Sequence, residues 1–237
     1  MTITAKQIES DVLAMGDPDI AQQSQRFFKT GKGEYGEGDI FVGIRVPSLR
    51  KLVLQYKGVE LEELGKLQQC QYHEIRLLAL FILVKKYQSA KTESEQTMLV
   101  DFYLDHLTWV NNWDLVDSSA HHILGHYLLN RDKSMLYQFA ESDDLWTRRV
   151  AVISTLAFIK KQNFEPTMKL ATMLLNDQED LMHKACGWML REIFRHDREV
   201  LDTYLNAHYQ QMPRTMLRYA IEKHESEIRK MYLQGLI

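Results

Sequence analysis

Apolar residues recur every three or four positions along most of the chain, the spacing that places them on one face of an α-helix. The apolar–polar alternation that would indicate strands is rare. The helical period is clearest in five segments: "EIRLLALFILVKKYQ" from residue 74, "NWDLVDSSAHHILGHYLL" from 112, "LWTRRVAVISTLAFIKKQ" from 145, "LMHKACGWMLREIFRHD" from 181 and "RTMLRYAIEKHESEIRKMY" from 214. The pattern predicts an all-α protein in which each segment is a packed helix.

A small residue recurs near the middle of these five segments, at intervals of 31 to 41 residues. The series comprises Ala79, Ala120, Ala151, Ala185 and Ala220. This period suits stacked antiparallel helix pairs of the HEAT or armadillo type, in which small residues let helices approach closely. We predict a curved superhelical stack, an α-solenoid, forming a single domain over residues 1–237. The alanine series would line its concave face, and shorter helices starting near residues 94 and 164 would form the opposite layer. A non-repeating helical bundle is the alternative.

One clear break interrupts the helical pattern, the segment "KTGKGEYGEGDIFVGIRVP" over residues 29–47. Its five glycines predict a loop or several turns. A phosphate-binding Walker loop needs a glycine, then any four residues, then Gly-Lys-Ser/Thr, and this segment does not contain that order. We therefore expect a structural connector between an N-terminal helix and the helical array.

The composition, with 45% hydrophobic and 26% charged residues, is that of an ordinary globular protein and excludes extensive disorder. The chain has no apolar run of about 20 residues, and no basic start followed by an apolar segment, so we expect a cytoplasmic protein. Cys70 and Cys186 lack metal-ligand spacing, and we expect both to be buried free thiols.

Charge is unevenly distributed along the chain, although the formal net charge is only -3. Residues 1–144 hold 15 Lys and Arg against 21 Asp and Glu, whereas residues 145–237 hold 14 against 11. A polyanion would therefore be met mainly by the C-terminal part of the chain. Ordinary solvated helix faces are the alternative explanation.

The segment around residue 113 groups aromatic and acidic side chains on one helix. Trp113 and Asp117 are four residues apart and so share a helix face, while Asp114 points about 100° away from Trp113. Asn111 or Asn112 could cap this helix, which would leave Asp117 available for chemistry.

Two later segments combine an aromatic ring with cations. Trp146 precedes Arg148 and Arg149, and Trp188 lies three residues before Arg191. Guanidinium groups interleaved with rings on successive helices could bind a sugar-phosphate backbone, although packing in the core is the usual role of a single tryptophan.

Two histidines suggest a metal site as an alternative, because His122 and His126 have a spacing that can place two metal ligands on one helix face. The HExxH pattern of zinc proteases is absent, since isoleucine follows His122. We expect packing or surface roles for these histidines and no bound metal.

At "NWDLVDS", "LWTRRVAV" and "KACGWMLREIF" the sequence resembles the AlkD-like DNA alkylation repair glycosylases, whose fold is a stack of HEAT-like repeats. The resemblance extends to the glycine-rich "GEYGEGDIFVGIRVP" and covers nearly the whole chain. It implies that Asp117 is the catalytic carboxylate and that Trp113 and Trp188 are aromatic walls at the lesion. It also implies that Arg149 is the partner cation. The implied contacts to substrate and DNA are Arg148, Arg191, Lys184, Phe27 and Phe28, and either Arg148 or Arg149 is the functional arginine.

The activity that the resemblance implies is excision of N3- and N7-alkylated purines from duplex DNA by a monomer without a cofactor. The lesion need not be flipped into a deep pocket. Physical chemistry supports a carboxylate here, because a cationic alkylpurine departs as a neutral base while positive charge grows on the deoxyribose. The alternatives are a non-catalytic binder of damaged or branched DNA and a HEAT-type scaffold for protein interactions.

Overall fold

The computed structural model describes residues 3–237 and divides them into two compact units, residues 3–119 and 120–237. Within the described residues there is no strand. The nearest approach to one is an isolated bridge between Ile40 and Tyr72. The predicted all-α class is therefore confirmed. None of the helices between residues 3 and 237 is long and apolar enough to span a membrane. The single domain over residues 1–237 stays a prediction.

The first unit consists of seven α-helices and a short 3-10 turn at Leu107–Trp109. In chain order the helices are α1 Ala5–Leu13, α2 Pro18–Phe27, α3 Val46–Tyr56, α4 Leu61–Gln68, α5 His73–Ser89, α6 Glu93–Asp105 and α7 Trp113–Ser119. Polar residues start several of them: Asp17 caps α2, and Thr92 forms a reciprocal capping box with Glu95 at α6. Helix α5 is the centre of this unit, because it packs against α3, α4, α6 and α7.

The second unit begins with a π-helical segment, His121–Gly125, and continues with eight α-helices. These are α8 Ser134–Ala140, α9 Leu145–Ser154, α10 Leu156–Ile159, α11 Glu165–Met173, α12 Asp180–Phe194, α13 Arg198–His208, α14 Arg214–Ala220 and α15 Ser226–Gln234. Helix α12 packs against α9, α11, α13 and α14, so neighbouring helices pair as the predicted repeat requires.

The five alanines that indicated the repeat are all buried, with no exposed surface in any of them. A small residue at the centre of a packed helix lets a neighbouring helix approach, which is the reason for the recurrence. The same logic applies to Gly187 in α12. A β-carbon added there would lie 2.5 Å from the carbonyl oxygen of Met216 in α14.

Three of the predicted long helices are interrupted in the structure. The segment from residue 145 breaks at Thr155, whose hydroxyl donates to the carbonyl of Val152 at 2.6 Å. The segment from residue 112 is α-helical only to Ser119, before the π-helical turn. The segment from residue 214 ends at Ala220 and resumes at Ser226. The turn at residues 221–225 contains a buried histidine that pairs with α13, a tertiary contact that the apolar period could not reveal.

The two cysteines differ from each other in burial. Cys186 is fully buried and free, as predicted. Cys70 is also free but only half-buried, so the prediction of a buried thiol is wrong there. Cys70 follows the end of α4 at the surface of the first unit, where its sulfur lies 3.8 Å from a carboxylate oxygen of Glu9.

Candidate functional site

The helix that carries Trp113 and Asp117 begins at Trp113. The side-chain oxygen of Asn112 accepts from the backbone N–H of Trp113 at 2.8 Å. Trp113 and Asp117 are both half-buried and lie one turn apart. Both residues therefore belong to α7, and their spacing of four places them on one face of it.

Helix α6 supports the far end of α7 through two buried hydroxyl groups. Ser119 donates to the carbonyl of Leu115 at 2.7 Å and accepts from the hydroxyl of Tyr103 at 3.0 Å. Burial raises the pKa of Tyr103, and the nearby charge of Asp117 raises it further. The phenol therefore stays protonated and remains a hydrogen-bond donor at neutral pH.

Both phenylalanines that were predicted to contact DNA lie against Trp113. Phe28 stacks on the indole with ring centroids 5.1 Å apart and an interplanar angle of 16°. Phe27 meets the same indole edge-on at 5.8 Å and is 64% exposed. The end of α2 and the start of α7 thus form one aromatic cluster, comprising Phe27, Phe28 and Trp113, of which Phe27 is the solvent-exposed part.

Beneath this aromatic cluster lies a buried network of charged and amide side chains. His73 joins two carboxylates, with Nδ1 at 3.0 Å from Asp39 and Nε2 at 2.8 Å from Asp114. Asp39 also accepts from Arg76 and, at 3.1 Å, from Asn112. The network connects the glycine-rich loop, the start of α5 and the start of α7.

The charges in this network are fixed by one another. Burial alone would lower the pKa of His73, but the carboxylates of Asp114 and Asp39 outweigh it and raise that pKa to about 9. Burial alone would raise the pKa of Asp39, but His73, Arg76 and Asn112 together hold it below its usual value. His73 and Asp39 are therefore both ionised at neutral pH.

The glycine-rich loop is held to the same end of α5 by a second carboxylate. Glu74 accepts backbone N–H groups from Val42 at 2.9 Å, Gly43 at 2.8 Å and Ile44 at 3.2 Å. Gly43 has a φ of 92°, and a β-carbon there would lie 1.9 Å from the carbonyl oxygen of Asp17. The predicted structural connector is confirmed, and its path depends on Glu74 and on this glycine.

Sequence reasoning did not identify the buried network. The available signal was the placement of His73, Glu74 and Arg76 at the start of a helix that is otherwise almost wholly apolar. Buried charges are costly unless they are paired, so three of them in one buried turn indicate partners elsewhere in the chain.

In the second unit, the two adjacent arginines of α9 have different partners. Arg148 donates from Nε to Asp177 at 2.7 Å and from Nη1 to the carbonyl of Ser142 at 2.9 Å, which commits it to a structural ion pair. Arg149 is 5% exposed and donates to the carbonyl of Leu181, in the first turn of α12, at 2.7 Å. Trp146, on the same helix, is buried and belongs to the core.

Helix α12 carries the other three residues singled out in the sequence. Lys184, Trp188 and Arg191 are spaced at i, i+4 and i+7, so they share one face. The indole N–H of Trp188 donates to Glu192 at 3.0 Å. Lys184 pairs with Asp180 at 2.8 Å, and Arg191 pairs with Glu222. This face of α12 combines two cations with a half-buried ring.

The comparisons with known proteins identify the family of the chain. The model of the family "DNA alkylation repair enzyme" matches residues 8–224, and the chain belongs to that family. A solved structure described as a predicted DNA alkylation repair enzyme from Enterococcus faecalis is similar with a TM-score of 0.69. The match has 17% identity and covers 89% of this chain and 97% of the other, so it shows a shared fold. No curated protein sequence gives a significant match.

Family membership confirms the family resemblance found in the sequence and supports a role in the repair of alkylated DNA. The all-helical fold agrees with that of the solved relative.

Proposed function

We propose that the protein is a DNA glycosylase that removes cationic N3- and N7-alkylated purines from duplex DNA by hydrolysing the N-glycosidic bond. One observation carries the proposal: the half-buried carboxylate of Asp117 lies one turn from Trp113, whose ring is stacked on Phe28. The pairing puts a negative charge and an electron-rich aromatic face on the same side of a short, well-supported helix.

The chemistry of the substrate explains why a carboxylate is enough. An alkylated purine that already carries a positive charge departs as a neutral base, so the leaving group needs little protonation. Positive charge develops instead on the deoxyribose, and Asp117 would oppose it and orient the attacking water. At about 4 Å and an effective dielectric of about 20, the attraction is roughly 4 kcal/mol before desolvation costs.

The aromatic residues would act on the sugar and on the DNA strand. Trp113 would offer its face to the cationic sugar or base, an attraction of about 1 kcal/mol when exposed and more when desolvated. Trp188, in the second unit, is the other ring to which the family resemblance assigns this role. Phe27, at 64% exposure, would contact the DNA directly, with Phe28 behind it.

The basic side chains would contact phosphates. Lys184 and Arg191 lie on the Trp188 face of α12, and each is paired with a carboxylate that a phosphate can replace. Either Arg149 or Arg148 would supply a further cation: Arg149 is 5% exposed and donates to the carbonyl of Leu181, and Arg148 is paired with Asp177, whose side chain is buried. Phosphate contacts of this kind make DNA affinity fall steeply with salt.

The decisive experiment compares Asp117→Asn with the wild type on duplex DNA containing one N7-methylguanine. We expect the single-turnover rate of base release to fall by about a thousandfold, the equivalent of roughly 4 kcal/mol, while the circular dichroism spectrum stays unchanged. Asp101→Asn is the matched control, because Asp101 is an exposed carboxylate of α6, and it should retain full activity.

Three other results would contradict the proposal in different ways. Release that is unchanged in Asp117→Asn would exclude Asp117 as the catalytic carboxylate. Tight binding of damaged DNA with no base released by the wild type would indicate a non-catalytic binder. Failure to bind DNA even at low salt would indicate a protein-interaction scaffold.

A further inference from the structure

The imidazole of His73 is bonded on both nitrogens to carboxylates that come from different parts of the chain. Nδ1 faces Asp39 in the glycine-rich loop, and Nε2 faces Asp114 in the first turn of α7. A neutral imidazole has one N–H, whereas a protonated imidazole has two. Since an ionised carboxylate only accepts, the two bonds together require the imidazolium form.

Each of the two carboxylates also accepts from groups other than His73, and the other donor to Asp114 is the backbone N–H of Leu115 at 2.9 Å. Arg76, from the same helix, donates to Asp39 and, at 3.3 Å, to Asn111 before α7. Asn112 donates to Asp39. Glu74, the remaining charged group in this turn of α5, is bound to the N–H groups of the loop. Among these contacts, the side-chain partner of Asp114 is His73. A neutral His73 has one N–H, so loss of the imidazolium would remove one of the two bonds that it donates to Asp39 and Asp114.

His73 is also the base of an aromatic stack that ends at Trp113. Phe41 stacks on the imidazole at 4.5 Å, Phe28 stacks on Phe41 at 4.9 Å, and Trp113 stacks on Phe28 at 5.1 Å. The interplanar angles along the stack are 25°, 20° and 16°. His73 therefore reaches the start of α7 by two routes, through Asp114 and through the rings beneath Trp113.

We propose that His73, held as an imidazolium between Asp39 and Asp114, is a positioning residue that fixes the start of α7 and thereby the place of Trp113 and Asp117. The consequence for catalysis rests on the glycosylase function proposed above. His73 is 1% exposed, so it acts through these neighbours and not by touching the DNA.

Loss of the imidazolium should reduce the rate of base release, because a shift of about 1 Å in a reacting group can cost on the order of a hundredfold in rate. The carboxylates that offset burial raise the pKa of His73 to about 9, so the wild-type rate should hold through neutral pH and fall as the pH passes 9. Asp114→Asn removes one of the two carboxylates and keeps an acceptor oxygen. It should move the fall in rate to lower pH.

The first test measures single-turnover base release between pH 6 and 9.5, on a time scale shorter than alkaline opening of the N7-methylguanine ring. His73→Gln should be slower by up to about a hundredfold and should lack the alkaline fall. The control is His224→Gln, because His224 is also buried but bonds one carboxylate, Asp202, at 2.6 Å. It should keep the wild-type pH profile.

The second test does not depend on activity. Nitrogen-15 NMR of the imidazole should show both nitrogens of His73 protonated at pH 8 in the free protein. The indole N–H resonance of Trp113 should move with the same titration, and this movement should be absent in His73→Gln. If His73→Gln does not fold, Asp114→Asn provides the same comparison. In that variant the His73 nitrogen resonances and the Trp113 indole resonance should both titrate with a midpoint at lower pH than in the wild type.

Each result decides the proposal. Two results would overturn the positioning role whether or not the protein is a glycosylase. One is a neutral His73 at pH 8, and the other is a Trp113 indole resonance that does not shift as His73 titrates. An alkaline fall that Asp114→Asn does not move would also overturn it. If the wild type releases no base while both resonances titrate together, the glycosylase function fails and the structural coupling of His73 to Trp113 stands.

Discussion

Gly187 lies where α12 packs against α14, and its replacement by alanine tests the packing of the second unit. The added β-carbon would lie 2.5 Å from the carbonyl oxygen of Met216 and 2.5 Å from the β-carbon of Tyr219. Neither atom can rotate away, because one is backbone and the other is attached directly to it. The two helices must therefore separate by roughly an ångström to reach ordinary van der Waals distance.

The free energy of this change has two opposing parts. Overpacking of a close-packed interior costs about 1–3 kcal/mol, whereas alanine in place of glycine within a helix gains about 1 kcal/mol. Because the clashing atoms cannot move aside, we expect the cost to lie near the upper end of that range, so that Gly187→Ala lowers the free energy of unfolding by about 2 kcal/mol. For a chain of this size each kcal/mol corresponds to about 2–4 °C in melting temperature.

Urea denaturation of Gly187→Ala should show this loss as a lower midpoint with an unchanged slope. The matched control is Gly65→Ala in α4, a second buried helical glycine. Its β-carbon would meet the ring of His106 at 3.0 Å and that of Phe102 at 3.6 Å, side-chain atoms that can shift. We expect the control to be nearly neutral. Stability of Gly187→Ala equal to or above that of the wild type would refute the close contact of α12 with α14.

Two further substitutions test the first unit. Phe27→Ala should leave stability within about 0.5 kcal/mol, because the ring is 64% exposed, but should weaken DNA binding by about fivefold or more in fluorescence anisotropy. Leu54→Ala, 66% exposed on α3, should leave binding unchanged, and an equal loss in both variants would argue against a specific role for Phe27. Glu74→Gln places an amide NH₂ against backbone donors of the loop and should cost about 1–3 kcal/mol, with faster proteolysis of residues 29–44. Glu62→Gln, an exposed change, is its control, and an unaltered urea midpoint in Glu74→Gln would contradict the role of its carboxylate.

Much of the secondary structure could be predicted because helices are local. The apolar period gave α5 and α12 nearly to the residue, and the recurrence of alanine marked five fully buried positions. The pairing of Trp113 with Asp117 was equally accessible, since residues four apart on a helix share a face whatever the rest of the chain does. Family resemblance at the same motifs indicated which of these residues to expect at the DNA.

The predicted helix from residue 214 shows where local reasoning ends. Its apolar period continues through residues 221–225, yet the chain turns there and places His224 in the core beside Asp202 of α13. The bond joins residues 22 positions apart, so the spacing of residues within the segment could not predict it. Burial of a paired histidine outweighs continuation of the helix at this point.

The sequence by itself determined the helices, the buried small residues and the shared face of Trp113 and Asp117, because each depends on neighbours within a turn or two. Only the tertiary structure decided what holds that face in place. Asn112 reaches Asp39 across 73 positions and Asp114 reaches His73 across 41. Such contacts form only when the packing of α2, α5 and α7 has brought distant segments of the chain together. Because the charged groups are then buried, each of them is stable only with its particular partner.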